Sequence, residues 1–149
     1  MAKGIKNPEF LECFRKNKIR KFSQGKTLVM KELNIARQDL LAAKESFNRD
    51  SFKWATIQAY YSMFHSARAL LYSKNYREKS HYCLIVALKA LYVEAKKLPI
   101  NFIEALQKGK NLRENADYYD EWSQLGAENM INLAEEFLQK THEILKAEQ

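Results

Sequence analysis

The feature that most constrains the fold is a stretch from Phe52 to about Ser73 that is apolar on nearly every side. At 3.6 residues per turn, Tyr60 and Met63 lie on one side of this stretch and Ile57 lies on the adjoining side. A helix at a protein surface keeps a wide polar face, and this stretch has almost none. We therefore predict a central helix that neighbouring helices cover on several sides.

Two helices are predicted before the central one. The first begins at the Asn-Pro-Glu sequence of residues 7–9, where Asn suits the N-cap and Pro the first turn. We expect it to run to about Phe22 and to end at the Ser-Gln-Gly sequence of residues 23–25. The second begins near Thr27 and carries apolar residues at alternating spacings of four and three up to Phe47, which is typical of one buried helix face.

Three more helices are predicted after the central one. Ser80 is a suitable N-cap for a helix that runs to about Lys97 and ends before Pro99. The next two span roughly residues 101–119 and 123–146. Because glycine is a poor helix former, Gly109 predicts a break or kink in the first of these two helices.

The overall pattern indicates one compact domain, spanning residues 1–149. The chain contains four glycines and two prolines, and it shows no repeat and no linker. The predicted connections are short, so neighbouring helices should be antiparallel. We therefore predict an all-α fold, an antiparallel up-and-down bundle of four long helices with one or two extra short helices.

The positive charge of the chain is concentrated at its N-terminal end. Residues 1–31 hold nine Lys and Arg residues against two glutamates, whereas acidic and basic residues cancel in the remainder. Residues 1–26 therefore form a basic N-terminal helix extension in this interpretation. Such a patch suits phosphates or an acidic partner surface, and the alternative is a solvated helix face that keeps the protein soluble.

Several classes of protein are disfavoured by the residue pattern. Cys13 and Cys83 fit no metal or redox spacing, and we expect buried, reduced thiols in a cytoplasmic protein. No apolar run has the length of a membrane span, so no membrane partner is expected. Glu78 and His81 form a single E-x-x-H pattern, whereas di-iron bundles need two, so we predict no metal site and no cofactor.

A resemblance to a known family rests on two segments. The sequence AYYSMFHSARALL covers residues 59–71, and KSH follows at residues 79–81. Together they resemble the HEPN family (higher eukaryotes and prokaryotes nucleotide-binding domain), in particular the small prokaryotic members that pair with minimal nucleotidyltransferases. The resemblance implies a homodimer, a minimal nucleotidyltransferase as partner, and nucleotide or RNA as ligand, in a two-component system like a toxin and its antitoxin.

The same resemblance points to Arg113 as the central site residue. Many HEPN proteins carry R-x(4–6)-H, and in the active ribonucleases of the family Arg and His from two subunits meet across the dimer interface. Here the histidine positions hold Tyr118, Tyr119 and Asp120, and the chain is similar to an R-x-x-A-D-Y variant. The resemblance implies Arg113, Asp117 and Tyr118 as catalytic candidates. A tyrosine is a poor general base near neutral pH.

Two other interpretations of this segment stay open. Arg113 and Asp117 are four residues apart, so they can form a local ion pair on one helix face, with both tyrosines as packing residues. In some relatives the nucleotidyltransferase modifies a tyrosine close to the motif. Tyr118 or Tyr119 would be the acceptor here.

Further ligand-binding candidates lie on the two segments that carry the resemblance. His81 follows the N-cap of its helix, where it suits an anion or is a plain surface residue. His65 and Arg68 are three residues apart and are predicted to share a polar pocket. His65, Arg68, His81 and Arg113 are the predicted nucleotide- or RNA-binding set. The neighbouring Tyr60 and Tyr61 are predicted to pack in the core or an interface.

Three functions are compatible with these residues. The leading one is the toxin-like or nucleotide/RNA-binding half of a two-component system with a minimal nucleotidyltransferase. The second is an active, metal-independent endoribonuclease in which Tyr118, His65 or His81 moves protons. The third is a non-catalytic dimeric interaction module.

Overall fold

The computed structural model describes residues 4–149. The helices are α1 (Pro8–Arg15), α2 (Gly25–Asn48), α3 (Phe52–Tyr72), α4 (His81–Leu88), α5 (Ile100–Tyr118) and α6 (Gln124–Ala147), and the strands are β1 (Ile19–Lys21) and β2 (Tyr76–Glu78). A π-helical segment, Lys89–Val93, continues α4. Four helices are long and two have eight residues each, so the predicted all-α bundle is confirmed.

Helix α3 is the centre of the bundle, as its sequence predicts. It packs against α2, α5 and α6, and side chains are buried at every one of its turns. After its first turn, the partly exposed surface of α3 is one stripe, which we call the α3 stripe. It consists of Gln58, Tyr61, Phe64, His65 and Arg68.

The predicted first helix, extending to Phe22, is wrong in its second half. Helix α1 ends at Arg15, and Asn17 adopts a left-handed conformation with φ 58° that turns the chain back. The residues that follow form β1, which pairs antiparallel with β2 and places Ile19 opposite Glu78. Ile19 is fully buried in this pairing. A strand at this position therefore pairs the backbone N–H and C=O groups and also places an apolar side chain in the core. The basic extension is thus a helix and a strand, and its residues 1–3 lie outside the described residues.

Gly25 does not end a helix, contrary to the sequence prediction, but begins α2. A Cβ atom at this position would collide with the carbonyl oxygen of Tyr72. The glycine therefore allows the start of α2 to lie directly against the end of α3. A glycine is needed here because the two helices pack closely, and not because a helix ends at this position.

The predicted break at Gly109 is also wrong, because α5 runs through it without interruption. A Cβ atom here would lie 2.5 Å from the Cε atom of Met63 and 3.1 Å from that of Met130. The absence of a side chain therefore brings α5 close to α3 and α6.

The fourth helix is shorter than predicted. The α-helical part ends at Leu88, and the π-helical segment replaces the expected continuation toward Lys97. Tyr92, within this segment, is fully buried and its hydroxyl donates to the carbonyl oxygen of Leu70 at 2.7 Å. This contact with α3 stabilises the π-helical segment, whose turns are wider than those of an α-helix.

The two cysteines form a disulfide, so the prediction of reduced thiols is wrong. Cys13 on α1 is bonded to Cys83 on α4, with their Cα atoms 6.0 Å apart. The pairing of β1 with β2 brings these two helices together. The two cysteines are 70 residues apart in sequence, so the sequence alone did not indicate that they lie close together.

Candidate functional site

Arg113 lies on α5 and extends its guanidinium group toward α3. Its Nη2 donates to the hydroxyl of Tyr61 at 2.9 Å and lies 3.1 Å from a carboxylate oxygen of Asp117. Its Nη1 donates to the hydroxyl of Tyr118 at 3.2 Å. The local pair of Arg113 with Asp117, one of the interpretations left open by the sequence, is therefore present, and Arg113 also reaches the partly exposed face of α3.

The guanidinium group is held between two aromatic rings. Its central carbon lies 5.4 Å from the ring centre of Tyr61 and 5.1 Å from that of Tyr118. Its Nε is buried and has no hydrogen-bond partner within residues 4–149. A buried donor without an acceptor costs about 1–3 kcal/mol, and an anionic ligand would supply that acceptor. Arg113 therefore has the features of an anion-binding residue.

His81 is the first residue of α4, and its position is fixed by two contacts. The side chain of the N-cap Ser80 accepts from the backbone N–H of Cys83 at 3.2 Å, which holds the first turn. The Nδ1 atom of His81 lies 3.0 Å from the hydroxyl of Tyr60. Its Nε2 atom is buried and, in the described part of the chain, has no partner.

Burial controls the protonation of this pair. Together with the positive charge of Lys110, which acts in the same direction, burial lowers the pKa of His81 to about 4. Burial also raises the pKa of the Tyr60 hydroxyl, so Tyr60 keeps its proton and shares one hydrogen bond with Nδ1 of His81. The site thus contains two buried side-chain nitrogen atoms without hydrogen-bond partners among residues 4–149, Nε2 of His81 and Nε of Arg113.

Tyr60 and Tyr61 connect His81 with Arg113. Their rings lie edge to face with centres 5.4 Å apart. Tyr60 contacts His81, and Tyr61 contacts Arg113. The structure therefore brings His81 to the same cluster as Arg113, Asp117 and Tyr118.

His65 and Arg68 lie further along the α3 stripe, where both contact Glu32. The Nδ1 atom of His65 is 2.5 Å from Glu32, and Arg68 Nη1 is 3.9 Å from it. Arg68 also makes two hydrogen bonds to Glu78, of 2.8 and 3.2 Å. The predicted polar pocket is present, and carboxylates of the chain itself fill it.

Phe64 links this pocket to the Arg113 cluster. Its ring centre is 4.4 Å from the guanidinium carbon of Arg68 and 6.5 Å from the ring centre of Tyr61. The stripe therefore has one guanidinium group near each end. Arg68 is neutralised by Glu78, whereas Arg113 keeps an unpaired donor within the described residues.

Four exposed aromatic side chains surround the end of α5. We call this set the aromatic surface: Trp54, Tyr118, Tyr119 and Trp122, which are 51%, 63%, 69% and 46% exposed. The ammonium group of Lys53 lies 5.5 Å from the ring centre of Trp54 and 5.6 Å from that of Trp122. It also bonds to Asp120 at 3.0 Å. Exposed aromatic residues in such a cluster are typical of binding surfaces.

Both the sequence and the fold resemble those of known proteins. The family model of the HEPN domain matches residues 29–145. This chain belongs to the HEPN family.

Two relatives come from Methanocaldococcus jannaschii. "Putative toxin MJ0605" is 35% identical over 115 residues, which cover 76% of this chain and 86% of the relative. "Putative toxin MJ0142" is 27% identical over 117 residues, covering 77% of this chain and 80% of the relative. Among solved structures, the crystal structure of TT1696 from Thermus thermophilus has a TM-score of 0.68 at 20% identity. That match covers 78% of this chain and 98% of the other, and it supports the fold.

The HEPN domain contains several site residues that sequence reasoning missed. Glu32 and Glu78 are both 7% exposed and neutralise the α3 stripe at Arg68. The spacing of Glu78 from His81 suggested at most a metal pattern, whereas its partner is Arg68. Tyr61, which was expected to be a packing residue, also accepts the main cross-helix hydrogen bond of Arg113.

Two features are absent from the described part of this HEPN domain. Within residues 4–149, no group of three or more His, Cys, Asp or Glu side chains is arranged to hold a metal ion. Among the helices described, none combines the length and the apolarity of a bilayer span.

Proposed function

We propose that this HEPN protein is the toxin-like half of a two-component system with a minimal nucleotidyltransferase, and that it binds RNA or nucleotide phosphate at Arg113. The observation that carries the proposal is the buried, unpaired Nε of Arg113 beside the hydroxyls of Tyr61 and Tyr118. An arginine held between two tyrosines presents its fork in a fixed orientation, which suits a phosphate. The relatives named as putative toxins support the toxin-like role.

Binding is favoured over cleavage for this site because no histidine follows Arg113 at the motif spacing. Asp117 forms an ion pair with Arg113, and an incoming phosphate would have to displace this carboxylate in part. His81 adds a second buried nitrogen atom without a partner in residues 4–149, and Tyr118 adds a ring on which a base can stack. His65 and Arg68 are already bound to Glu32 and Glu78, so we place the binding site at Arg113 and His81 and not along the rest of the α3 stripe.

The test is a binding and turnover assay with a fluorescein-labelled oligouridine RNA. We compare wild type, Arg113→Ala and Arg113→Lys with Arg37→Ala, an exposed arginine on α2 that hydrogen-bonds to Asn34 of the same helix. Both Arg113 variants should weaken binding by about tenfold or more, since one bidentate contact is lost, and Arg37→Ala should bind like wild type. Equal affinity in all four proteins would overturn the assignment of Arg113.

A metal-independent endoribonuclease is the second candidate, and His81 is the observation that favours it. Its Nε2 is buried without a partner in residues 4–149, and its lowered pKa keeps the ring neutral, which is the form that can accept a proton. RNA cleavage that persists in EDTA and disappears in both Arg113→Ala and His81→Gln would establish this activity. If no variant or wild type binds or cleaves RNA or nucleotides, the protein is an interaction module.

The partner enzyme is tested separately by mass spectrometry. Tyr118 and Tyr119 are both exposed in the single chain, so an enzyme can reach either hydroxyl in the monomer. We expect a nucleotidyl adduct on Tyr118 or Tyr119 after co-expression with a minimal nucleotidyltransferase, and none in the variant with both tyrosines replaced by Phe. An unmodified wild-type protein would reject the modification.

We also propose a homodimer that uses the α3 stripe and the aromatic surface. Large exposed aromatic side chains such as Trp54 and Trp122 are enriched in protein interfaces. Sedimentation analysis of wild type and Trp54→Glu tests this, with Leu41→Glu as the control because Leu41 is an exposed apolar residue on α2. A monomeric wild type, or a dimer that Trp54→Glu leaves intact, would contradict this interface.

A further inference from the structure

The disulfide joins a part of the chain that lies outside the family match to a part that lies inside it. Cys13 lies on α1, outside residues 29–145 that match the HEPN family, and Cys83 lies inside them. The bond therefore fastens the N-terminal extension to the family domain. It enters the domain at the first turn of α4, two residues after His81.

A cavity gives access to this bond from solvent. Its volume is about 400 Å³, and its walls include Cys13 and Cys83 together with Lys16, Lys18 and Tyr82. Each cysteine is only 4% exposed overall, so the cavity is the approach that the structure offers. A small thiol fits this volume, whereas the surrounding helices shield the sulfur atoms from a flat protein surface.

Two ammonium groups line the cavity together with the two cysteines. Lys16 pairs with Glu12, and Lys18 forms no ion pair within residues 4–149. The carboxylate of Glu9 also lines the cavity and accepts a hydrogen bond from the hydroxyl of Tyr82. A nearby ammonium group stabilises a thiolate, both in the reagent and in the cysteine that is released.

Helix α1 has limited attachments other than the disulfide. Phe10 is fully buried and its ring lies edge to face with that of Tyr76, at 5.4 Å. The hydrogen bonds from Asn7 to Glu94 and from Tyr82 to Glu9 are exposed. A helix of eight residues is marginal by itself, so loss of the disulfide should loosen α1 without unfolding the bundle.

We propose that Cys13–Cys83 is a reversible thiol–disulfide site that a small dithiol reduces through this cavity, and that its state controls the order of α1 and the packing of α1 against the first turn of α4, which carries His81. A dithiol thiolate attacks one of the two sulfur atoms, the bond between the cysteines breaks, and a mixed disulfide forms. The second thiol of the reagent then breaks the mixed disulfide. The protein gains two electrons and two protons, and the dithiol becomes a cyclic disulfide.

The test uses the full chain in buffers of reduced and oxidised dithiothreitol. Mass spectrometry after alkylation counts free thiols, hydrogen exchange follows residues 8–15, and NMR follows the ring of His81. On reduction, exchange in α1 should become about a hundredfold faster, and the His81 ring signals should shift. Protection in α2, α3 and α6 should be unchanged. Reduced wild type and the double variant Cys13→Ser, Cys83→Ser should match each other.

Three outcomes would overturn the proposal. They are identical His81 signals in both states, unchanged exchange in α1, and unfolding of the whole protein on reduction or in the double variant. The last would make the disulfide a structural bond only. None of these measurements involves RNA, so their result is independent of the proposed function of Arg113.

Discussion

The Tyr61 hydroxyl accepts a hydrogen bond from Nη2 of Arg113 at 2.9 Å, and this contact joins α3 to α5 at the centre of the site. The bond is partly buried, whereas the one from Arg113 to Tyr118 is exposed and longer, at 3.2 Å. The two tyrosines therefore hold the same guanidinium group with different strength.

Replacing each hydroxyl separately tests this difference. Tyr61→Phe should lower the free energy of unfolding by about 1–2 kcal/mol, because a partly buried charged donor loses its acceptor. Tyr118→Phe should leave it within about 0.5 kcal/mol of wild type, as expected for an exposed substitution. Urea unfolding of both variants measures the two values, and equal losses would contradict the ranking.

Removing Glu78 should be costly for stability. It is the bidentate partner of Arg68, and both groups lie largely inside the protein at the α3 stripe. We expect Glu78→Ala to lower the free energy of unfolding by about 3 kcal/mol, because Arg68 keeps its charge without its main partner. Glu12→Ala is the control, since the Glu12–Arg15 pair is exposed, and it should unfold like wild type. If Glu78→Ala were as stable as this control, the pair would not stabilise the fold.

Gly25 should tolerate no side chain. In Gly25→Ala, the new Cβ collides with the carbonyl oxygen of Tyr72, and a backbone atom has no rotamer with which to move away. The expected loss in unfolding free energy is about 1–3 kcal/mol, typical of forced overpacking. Thermal unfolding checks it against the neighbouring exposed Lys26→Ala. A melting temperature equal to that of the control would show that α2 and α3 are less closely packed.

His81 should make the protein less stable in mild acid. Its pKa is about 4 when folded and near 6.5 when unfolded, so between these values the unfolded state binds the extra proton. The contribution of the neutral His81 to the free energy of unfolding is thus fully present above pH 6.5, and it is lost as the pH falls toward 4. After allowance for its partial exposure, we expect a loss of about 1–2 kcal/mol.

The variant His81→Gln isolates this effect from other titrating groups. Its free energy of unfolding should fall less than that of wild type between pH 7 and about pH 4.5. Chemical denaturation at several pH values measures the difference. Parallel curves for the two proteins would contradict a buried, neutral His81.

The helices were predictable from the sequence wherever one periodic face decided the structure. Helix α3 has apolar residues on most sides, and its central position followed from that pattern alone. Local caps also gave correct starts, since the side chains of Asn7 and Ser80 both accept the expected backbone hydrogen bonds. These features depend on residues a few positions apart, which is the range that periodicity and capping describe.

What the sequence did not predict depends on contacts between distant segments. The strand β1 forms because β2 offers it a partner, and nothing within residues 16–22 indicates that partner. The disulfide is likewise a consequence of how α1 and α4 come together, and Arg68 pairs with Glu78 because β2 lies beside α3. For the site, the family pattern located Arg113, but its contact with Tyr61 needed the packing of α5 on α3.

The pairing of β1 with β2 has a consequence for the order of folding. Residues 19–21 leave the ribosome early, yet their partners at residues 76–78 emerge only after all of α2 and α3. A strand of three residues has no stability before its partner is present, and closing so long a loop is slow. The extension is therefore synthesised first and docks late, after α2 and α3 have formed the surface that receives it.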